Sequence, residues 1–125
     1  MTWCGFLFTH FDAVRWNQLF DLFYDHLAVN GILVFTAHGR LSEPLMRKQS
    51  PPFGLEADVI KRILISYDRE RLGYANYDDQ YSVYGISISS PSWIFQQIEQ
   101  FPSLRVYYML EGGWGYQDVY GVSKQ

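Results

Sequence analysis

The feature that most constrains the fold is a unit of strand, helix and strand in residues 3–37. Residues 3–8, WCGFLF, are almost all apolar, which is typical of a buried strand. From residue 13 to residue 29, apolar side chains recur every three or four positions, as in an amphipathic helix. We expect Gly31 to end this helix in a left-handed conformation. The run ILVFTA, residues 32–37, then predicts a second buried strand, and the whole unit has the length of a right-handed crossover between parallel strands.

The second half of the chain adds further helices and a hairpin. Residues 55–67 have a helical pattern, and SPSWIFQQIEQF, residues 90–101, predicts a helix that Ser90 or Ser92 can cap. Two apolar runs, residues 104–112 and 117–124, flank the turn GGWGY and predict an antiparallel hairpin. We therefore predict an α/β sheet that is mostly parallel, with helices on both faces. The last strand of the hairpin should enter the sheet between its neighbours.

The middle of the chain differs in composition from both ends. We expect a single domain over residues 1–125, with an insertion or lid at about residues 40–90 that contains the pair Pro51-Pro52. The stretch GYANYDDQYSVYG, residues 73–85, is rich in tyrosine, whose rigid ring carries a hydroxyl suited to a binding pocket. The alternatives are an interaction patch or a simple cover for the sheet. The residues concerned are Tyr74, Tyr77, Asp78, Asp79, Tyr81 and Tyr84.

Composition excludes several classes of protein. The 125 residues are 48% hydrophobic, enough for a core, and the formal net charge of −3 gives no basic surface for a nucleic acid. Cys4, the single cysteine, cannot form an internal disulfide, so a reducing cytoplasm is expected. No apolar run approaches the roughly 20 residues of a membrane-spanning helix. We expect a cytoplasmic protein with neither nucleic acid nor membrane as a partner.

Polar residues follow both strands of the first unit, at the sheet edge where ligands bind in open α/β sheets. Thr9 and His10 follow the first strand, and His38 and Arg40 follow the second. His10 would face a ligand there; the alternative is a loop histidine beside Asp12, which is placed to cap the helix. A histidine in the position of His38 is more often structural than catalytic.

The remaining reactive side chains do not form a recognisable site. The three histidines and Cys4 lack the spacing of metal ligands, so no metal site is predicted. Cys4 lies inside a predicted strand without a neighbouring cation, which favours a core thiol over a nucleophile. Trp114, Gln117 and Asp118 surround the final hairpin, where turn chemistry and strand pairing explain them best. No catalytic residue is identified.

The order of these elements resembles the second half of class I S-adenosylmethionine-dependent methyltransferases. The residues that carry the resemblance are WCGFLFTHFDAVRW, LAVNGILVFTAHGR and the tail SPSWIFQQIEQFPSLRVYYMLEGGWGYQDVYGVSK. Val29-Asn30 departs from the Pro-Gly that the family usually has before its fifth strand. The resemblance implies a partial Rossmann-like sheet, with Thr9 and His10 toward the cofactor. It also implies that His38, Arg40, Tyr77 and Tyr84 lie toward the methyl acceptor.

The family's glycine-rich turn after its first strand does not occur in this sequence. The cluster Gly112-Gly113-Trp114-Gly115 lies between two predicted strands, so it cannot hold a cofactor at a helix N-terminus. We therefore expect the carboxyl-terminal half of a methyltransferase domain, which would not bind S-adenosylmethionine alone and whose amino-terminal half lies elsewhere. The alternative is a non-catalytic oligomeric remnant of the same fold. In either case the open edge of the first strand predicts a homo-oligomer.

Overall fold

The computed structural model describes residues 1–49, 53–77 and 84–125. A short 3-10 turn, Phe8–His10, follows the first strand. The helices are α1 (Ala13–His26), α2 (Ser42–Lys48), α3 (Ala57–Glu70) and α4 (Pro91–Glu99). The strands are β1 (Thr2–Cys4), β2 (Ile32–His38), β3 (Leu72–Asn76), β4 (Gly85–Ser89), β5 (Leu104–Trp114) and β6 (Gln117–Lys124).

The main sheet has four strands in the order β1-β2-β6-β5, and it is not mostly parallel. Of its three strand pairs, only β1–β2 is parallel, whereas β6 pairs antiparallel with both β2 and β5. The prediction of a mostly parallel, Rossmann-like sheet is therefore wrong. The reason is that β6 returns directly from β5 through a two-residue turn, Gly115 and Tyr116, and β3 and β4 pair with each other in a separate antiparallel sheet.

The predicted hairpin and the insertion of its last strand are confirmed. Strand β6 lies between β2 and β5, with Phe35 opposite Tyr120 and Leu33 opposite Val122. The turn depends on glycine at residue 115, where φ is +61°, because residues with a Cβ adopt this conformation at a cost.

The helices that cover the four-stranded sheet lie on one face, so the prediction of helices on both faces is also wrong. Phe35 and Tyr120 share this face because the side chains of a strand alternate between its two sides. Trp16 of α1 contacts Phe35 with ring centroids 5.9 Å apart, and Phe95 of α4 contacts Tyr120 at 6.0 Å. We call β1, β2, β5, β6, α1 and α4 the sheet unit.

A second hydrophobic core lies in the region predicted to be an insertion. It contains Met46 of α2, Ile63 and Tyr67 of α3, Ala75 of β3 and Ile88 of β4, all buried. No residue of the four-stranded sheet belongs to this core among those described. We call α2, α3, β3 and β4 the hairpin unit. Helix α2 and strands β3 and β4 were not predicted, and Pro51, Pro52, Asp78, Asp79 and Tyr81 lie outside the described residues.

The ends of β1 and α1 differ from the sequence prediction for reasons that the backbone shows. Strand β1 ends at Cys4 rather than Phe8, since Phe6 has a positive φ of +66° that no strand continues through. Helix α1 ends at His26, and the left-handed residue after it is Asn30, with φ +62°, not Gly31. Both predicted N-caps are confirmed: Asp12 accepts a hydrogen bond from the Arg15 amide, and Ser90 accepts one from the Trp93 amide.

Candidate functional site

Strand β4 lies across the carboxyl ends of β1 and β2, where the sequence places its polar residues. The hydroxyl of Ser87 donates to the carbonyl of Phe8 at 3.0 Å, which ties β4 to the turn after β1. Carbonyls two residues apart on a strand point the same way. Those of Gly85 and Ser87 both point away from β3, toward the residues that follow β1 and β2. They are therefore available to the side chains that follow β1 and β2.

His10 contacts the first of these carbonyls. Its Nδ1 lies 2.9 Å from the Gly85 carbonyl oxygen, and the Tyr77 hydroxyl lies 3.2 Å from the same nitrogen. A carbonyl only accepts hydrogen bonds, so Nδ1 must carry the proton. In the neutral ring, Nε2 is then left as a hydrogen-bond acceptor. The structure thus brings together His10 and Tyr77, two residues that the resemblance assigned to different ligands.

His38 contacts the second carbonyl in the same way. Its Nδ1 lies 3.1 Å from the Ser87 carbonyl oxygen. The pKa of His38 is lowered to about 4, mainly by burial. The hydrogen bond to Ser87 raises this pKa in part, and the positive charge of His10 lowers it. His38 is therefore neutral at pH 7, with its Nε2 as an acceptor. Two histidines held by alternate carbonyls of one strand form what we call the histidine pair.

Thr9 lies beside the histidine pair but does not face solvent. Its side chain is buried, and its hydroxyl donates to the Phe6 carbonyl. The Phe6 amide in turn donates to the hydroxyl of buried Thr36, at 2.9 Å. Thr9 therefore fixes the backbone after β1 and does not present its hydroxyl to a ligand in this structure.

Arg40 follows β2 and pairs with Glu111 at the end of the hairpin. Its Nε lies 2.9 Å from the Glu111 carboxylate. The pair borders a cavity of about 460 Å³ that also receives Tyr67, Arg71 and Ser90. This cavity lies between the sheet unit and the hairpin unit. It is separate from the contacts of the histidine pair, so the structure does not bring Arg40 into direct contact with His10.

Asp118 is a buried carboxylate, and sequence reasoning gave it only a role in turn chemistry and strand pairing. The register places it inside β6, as predicted, opposite Ala37. One carboxylate oxygen accepts a hydrogen bond from the Gly112 amide at 3.0 Å, and the other finds no partner among the described residues. Burial raises the pKa of Asp118, and Glu111 raises it further. The chain just after β2 accommodates this carboxylate because residue 39 is glycine, where a Cβ would overlap it.

Tyr120 extends the buried polar group along the same face of β6. Its hydroxyl has no hydrogen-bond partner among the described residues, and burial raises its pKa. The charges that act on it belong to Asp118, Glu111 and Arg40. A strand pattern alone could not reveal Tyr120, since tyrosine is common in strands, but the polar residue at position 118 in an otherwise apolar run was a usable signal.

The tyrosines of the predicted pocket are separated in the structure. Tyr77 reaches His10, whereas the ring of Tyr84 stacks against Phe11 with centroids 6.1 Å apart. The Tyr74 hydroxyl donates to the side chain of Asn76 and lies 3.5 Å from the Arg15 guanidinium. Of these three, only Tyr77 therefore joins the histidine pair.

Two further features limit the chemistry of the described residues. Burial raises the pKa of the Cys4 thiol to about 11, so it stays protonated at neutral pH and is a poor nucleophile. Among the described residues, no three His, Cys, Asp or Glu side chains lie together as metal ligands. The same part of the chain contains no helix long and apolar enough to cross a membrane.

No protein-family model, curated protein or solved structure matches the chain. The geometry of the described residues is therefore the basis of the functional argument.

Proposed function

We propose that this chain forms the acceptor side of an S-adenosylmethionine-dependent methyltransferase. The observation that carries the proposal is the histidine pair at the carboxyl ends of the parallel strands β1 and β2. The resemblance implies that the ligands lie at the ends of these two strands, which meet at one edge because β1 and β2 are parallel. The insertion of β6 between β2 and β5 adds support, because the resemblance rests on the order of these elements.

The described residues do not by themselves fit the cofactor. The glycine cluster of residues 112–115 joins two antiparallel strands, so it does not lead from a strand into a helix as the cofactor-binding turn of the family does. Thr9, one of the two residues expected to touch the cofactor, has a buried hydroxyl that is already bonded. S-adenosylmethionine would therefore be held by groups outside this chain, and we derive no step through it.

In this proposal His10 accepts a proton from the methyl acceptor. Its Nδ1 is held by Gly85, so its Nε2 has the free lone pair that a general base needs. Tyr77 and His38 orient the acceptor as hydrogen-bonding groups, and His38 stays neutral because its pKa is low. Arg40 pairs with Glu111 and the ring of Tyr84 stacks on Phe11, so these two residues would contact the acceptor only if it is large. The residues favour an acceptor with an O–H or N–H group.

The test is a comparison of two proteins. The DNA upstream of Met1 is read for an in-frame segment with a strand, a glycine-rich turn and a helix, and the chain is produced with and without that segment. Calorimetric titration with S-adenosylhomocysteine should give heat only for the longer protein. Heat from neither protein, or the lack of such a segment, contradicts the proposal.

A second candidate function is a non-catalytic, oligomeric binding or structural protein of the same fold. The observation that favours it is the uncovered face of the sheet, which carries several half-exposed aromatic side chains. The titration above separates the two candidates, since a binding protein of this kind has no reason to bind S-adenosylhomocysteine. For either candidate, the single unpaired cysteine supports a reducing, cytoplasmic location.

A further inference from the structure

The face of the sheet opposite α1 and α4 is covered by large apolar side chains instead of helices. They stand on this face because Trp3 pairs with Val34, Tyr108 with Gly121 and Leu110 with Val119. Each is between 45% and 57% exposed. We call this set the aromatic face, and its members are Trp3, Phe6, Tyr108, Leu110 and Trp114.

These side chains are held together as one surface. The rings of Trp3 and Trp114 stack with centroids 4.8 Å apart, and the ring of Phe6 meets Trp114 edge-on at 5.6 Å. Trp3 belongs to β1 at one edge of the sheet, whereas Trp114 ends β5 at the other. The stacked pair therefore spans the sheet, and the patch is contiguous rather than a scatter of single exposed residues.

The backbone of Phe6 is strained in the conformation that places its ring in this surface. Its φ of +66° is a left-handed conformation, which is unfavourable for a bulky residue. Two buried threonines hold it there: the Phe6 amide donates to Thr36, and the Phe6 carbonyl accepts from Thr9. Such strain persists only where the surroundings fix it, and the result here is an aromatic ring half exposed to solvent.

Charge and area both indicate what covers this face. None of its five side chains is charged, so two copies of the face can meet without repulsion between like charges. Aromatic side chains bury about 150–250 Å² each, so the four half-exposed rings offer about 400 Å² per copy, and Leu110 raises this to about 500 Å². Two copies would bury about 1,000 Å² together, the size at which specific interfaces begin.

We infer that the aromatic face binds the same face of a second copy of this chain in a two-fold symmetric dimer. Sheets that pack face to face form a core about 10 Å thick from interdigitated side chains, which the five apolar groups can supply. A two-fold axis makes the interface self-complementary, so each copy contributes the same residues. This inference does not depend on the proposed function, and it assigns the interface to a face rather than to the edge of β1.

The experiment measures the mass of the full chain by light scattering and its dissociation by sedimentation at micromolar concentrations. The parent chain should have twice the monomer mass and dissociate on dilution. Trp114→Glu places like charges near each other across the axis and should weaken the dimer at least tenfold. Leu110→Glu leaves the ring stack intact and should also weaken the dimer. It replaces Trp114→Glu in the test if that variant does not fold.

The matched control is Val14→Glu, which adds the same charge at an exposed position of α1, on the other side of the sheet. It should leave the dimer unchanged. A monomeric parent chain overturns the inference, as does a dimer that Leu110→Glu weakens no more than Val14→Glu does. In the second case the open edge of β1 becomes the better site of association. A dimer that is lost in the face variants alone supports the inference.

Discussion

The three histidines of this chain all direct Nδ1 at a backbone carbonyl, but they differ in surroundings. His26 lies exposed on α1, with its Nδ1 2.9 Å from the Leu22 carbonyl. His38 is mostly buried and has a pKa of about 4, below its ordinary 6.5. As the pH falls through 6.5, the unfolded chain therefore takes up a proton at residue 38 before the folded chain does.

We predict that His38 lowers the stability of the fold between pH 6.5 and pH 4. Above pH 6.5 the neutral ring costs the fold nothing, and the loss of stability grows as the pH falls until it is complete near pH 4. Each pH unit inside this window removes at most about 1.4 kcal/mol of unfolding free energy. His38→Asn keeps a donor near the Ser87 carbonyl and removes the titrating group. Denaturant unfolding across this range should show a shallower pH dependence for His38→Asn than for the parent chain. His26→Asn is the control, and an equal slope in all three proteins contradicts the prediction.

The contact between Gly39 and Asp118 gives a second prediction at this scale. A Cβ at residue 39 would overlap the buried carboxylate, so Gly39→Ala should destabilise the fold by about 2 kcal/mol or more. Asp118→Ala removes the carboxylate, and adding Gly39→Ala to that variant should cost much less. A double-mutant cycle from thermal melts measures the difference. Additive effects of the two substitutions would mean that the contact is not what requires glycine.

His10 and His26 form a matched pair for the proposed function. In the longer protein, His10→Ala should lower turnover by at least about tenfold, because a positioned general base typically contributes 100-fold or more. The melting temperature should change little, since His10 is not part of a core. His26→Ala, remote from the histidine pair on α1, should leave turnover unchanged. Equal turnover for the two variants removes His10 from the reaction while leaving the binding of S-adenosylhomocysteine as a separate test.

At the scale of single elements, the end of α1 shows how a residue can matter for an unexpected reason. The sequence predicts that Gly31 is left-handed, but Asn30 holds that conformation. Gly31 is required by space instead, since a Cβ there would lie 2.7 Å from the Ala28 carbonyl oxygen and 2.9 Å from the Leu27 side chain. The glycine after the helix therefore predicted the position of the loop correctly, but not the reason why residue 31 is glycine.

Substitutions at these two positions separate the two explanations. Gly31→Val should destabilise the fold by about 1 kcal/mol or more through crowding. Asn30→Gly should be nearly neutral, because glycine adopts a positive φ without strain. Chemical denaturation of both variants measures the difference. If Asn30→Gly is the more harmful change, the left-handed residue is not where the structure has it.

Elements with a strong period were predictable from sequence, and those that depend on distant partners were not. Helix α1 and strand β2 have periodic or continuous apolar patterns that local preferences alone specify. Strand β3, LGYAN, has only five residues and is stable because α3 packs against it and β4 pairs with it. Such a strand depends on tertiary contacts, so its sequence carries little signal of its own.

The candidate site was predictable in part for the same reason. Residues at strand ends, such as His10 and His38, follow from the position of β1 and β2. Their common partner β4 does not, because its contacts lie 75 residues from His10 and 49 residues from His38 in the chain. The role of Asp118 depends on the register between β2 and β6, and a shift of one residue would turn its side chain to the other face.

At the scale of the whole molecule, two hydrophobic cores are joined by few contacts. Besides the histidine pair and Ser87, the Ser42 hydroxyl of α2 donates to the Tyr116 carbonyl, and the Arg15 guanidinium of α1 lies 3.5 Å from the Tyr74 hydroxyl of β3. These contacts are hydrogen bonds that connect elements of the hairpin unit to the sheet unit. If they couple the two units fully, neither unit can unfold while the other stays native.

The tryptophans provide a selective probe of this coupling. All four belong to the sheet unit, in β1, α1, α4 and β5, so their fluorescence reports that unit alone. Ile63 is fully buried in the core of the hairpin unit, and Ile63→Ala should remove about 2–5 kcal/mol of stability from it.

We predict that Ile63→Ala lowers the tryptophan-detected melting temperature by several degrees. The same midpoint should appear in far-ultraviolet circular dichroism, because one cooperative transition gives coincident curves for all probes. The control is Ile65→Ala, two residues farther along α3 on its exposed side, which should shift both curves little. A circular dichroism transition that moves to lower temperature while the fluorescence transition stays in place would show that the units unfold separately. In that case the hydrogen bonds of His10 and His38 to β4 would open with the hairpin unit, and the histidine pair would exist only while that unit is folded.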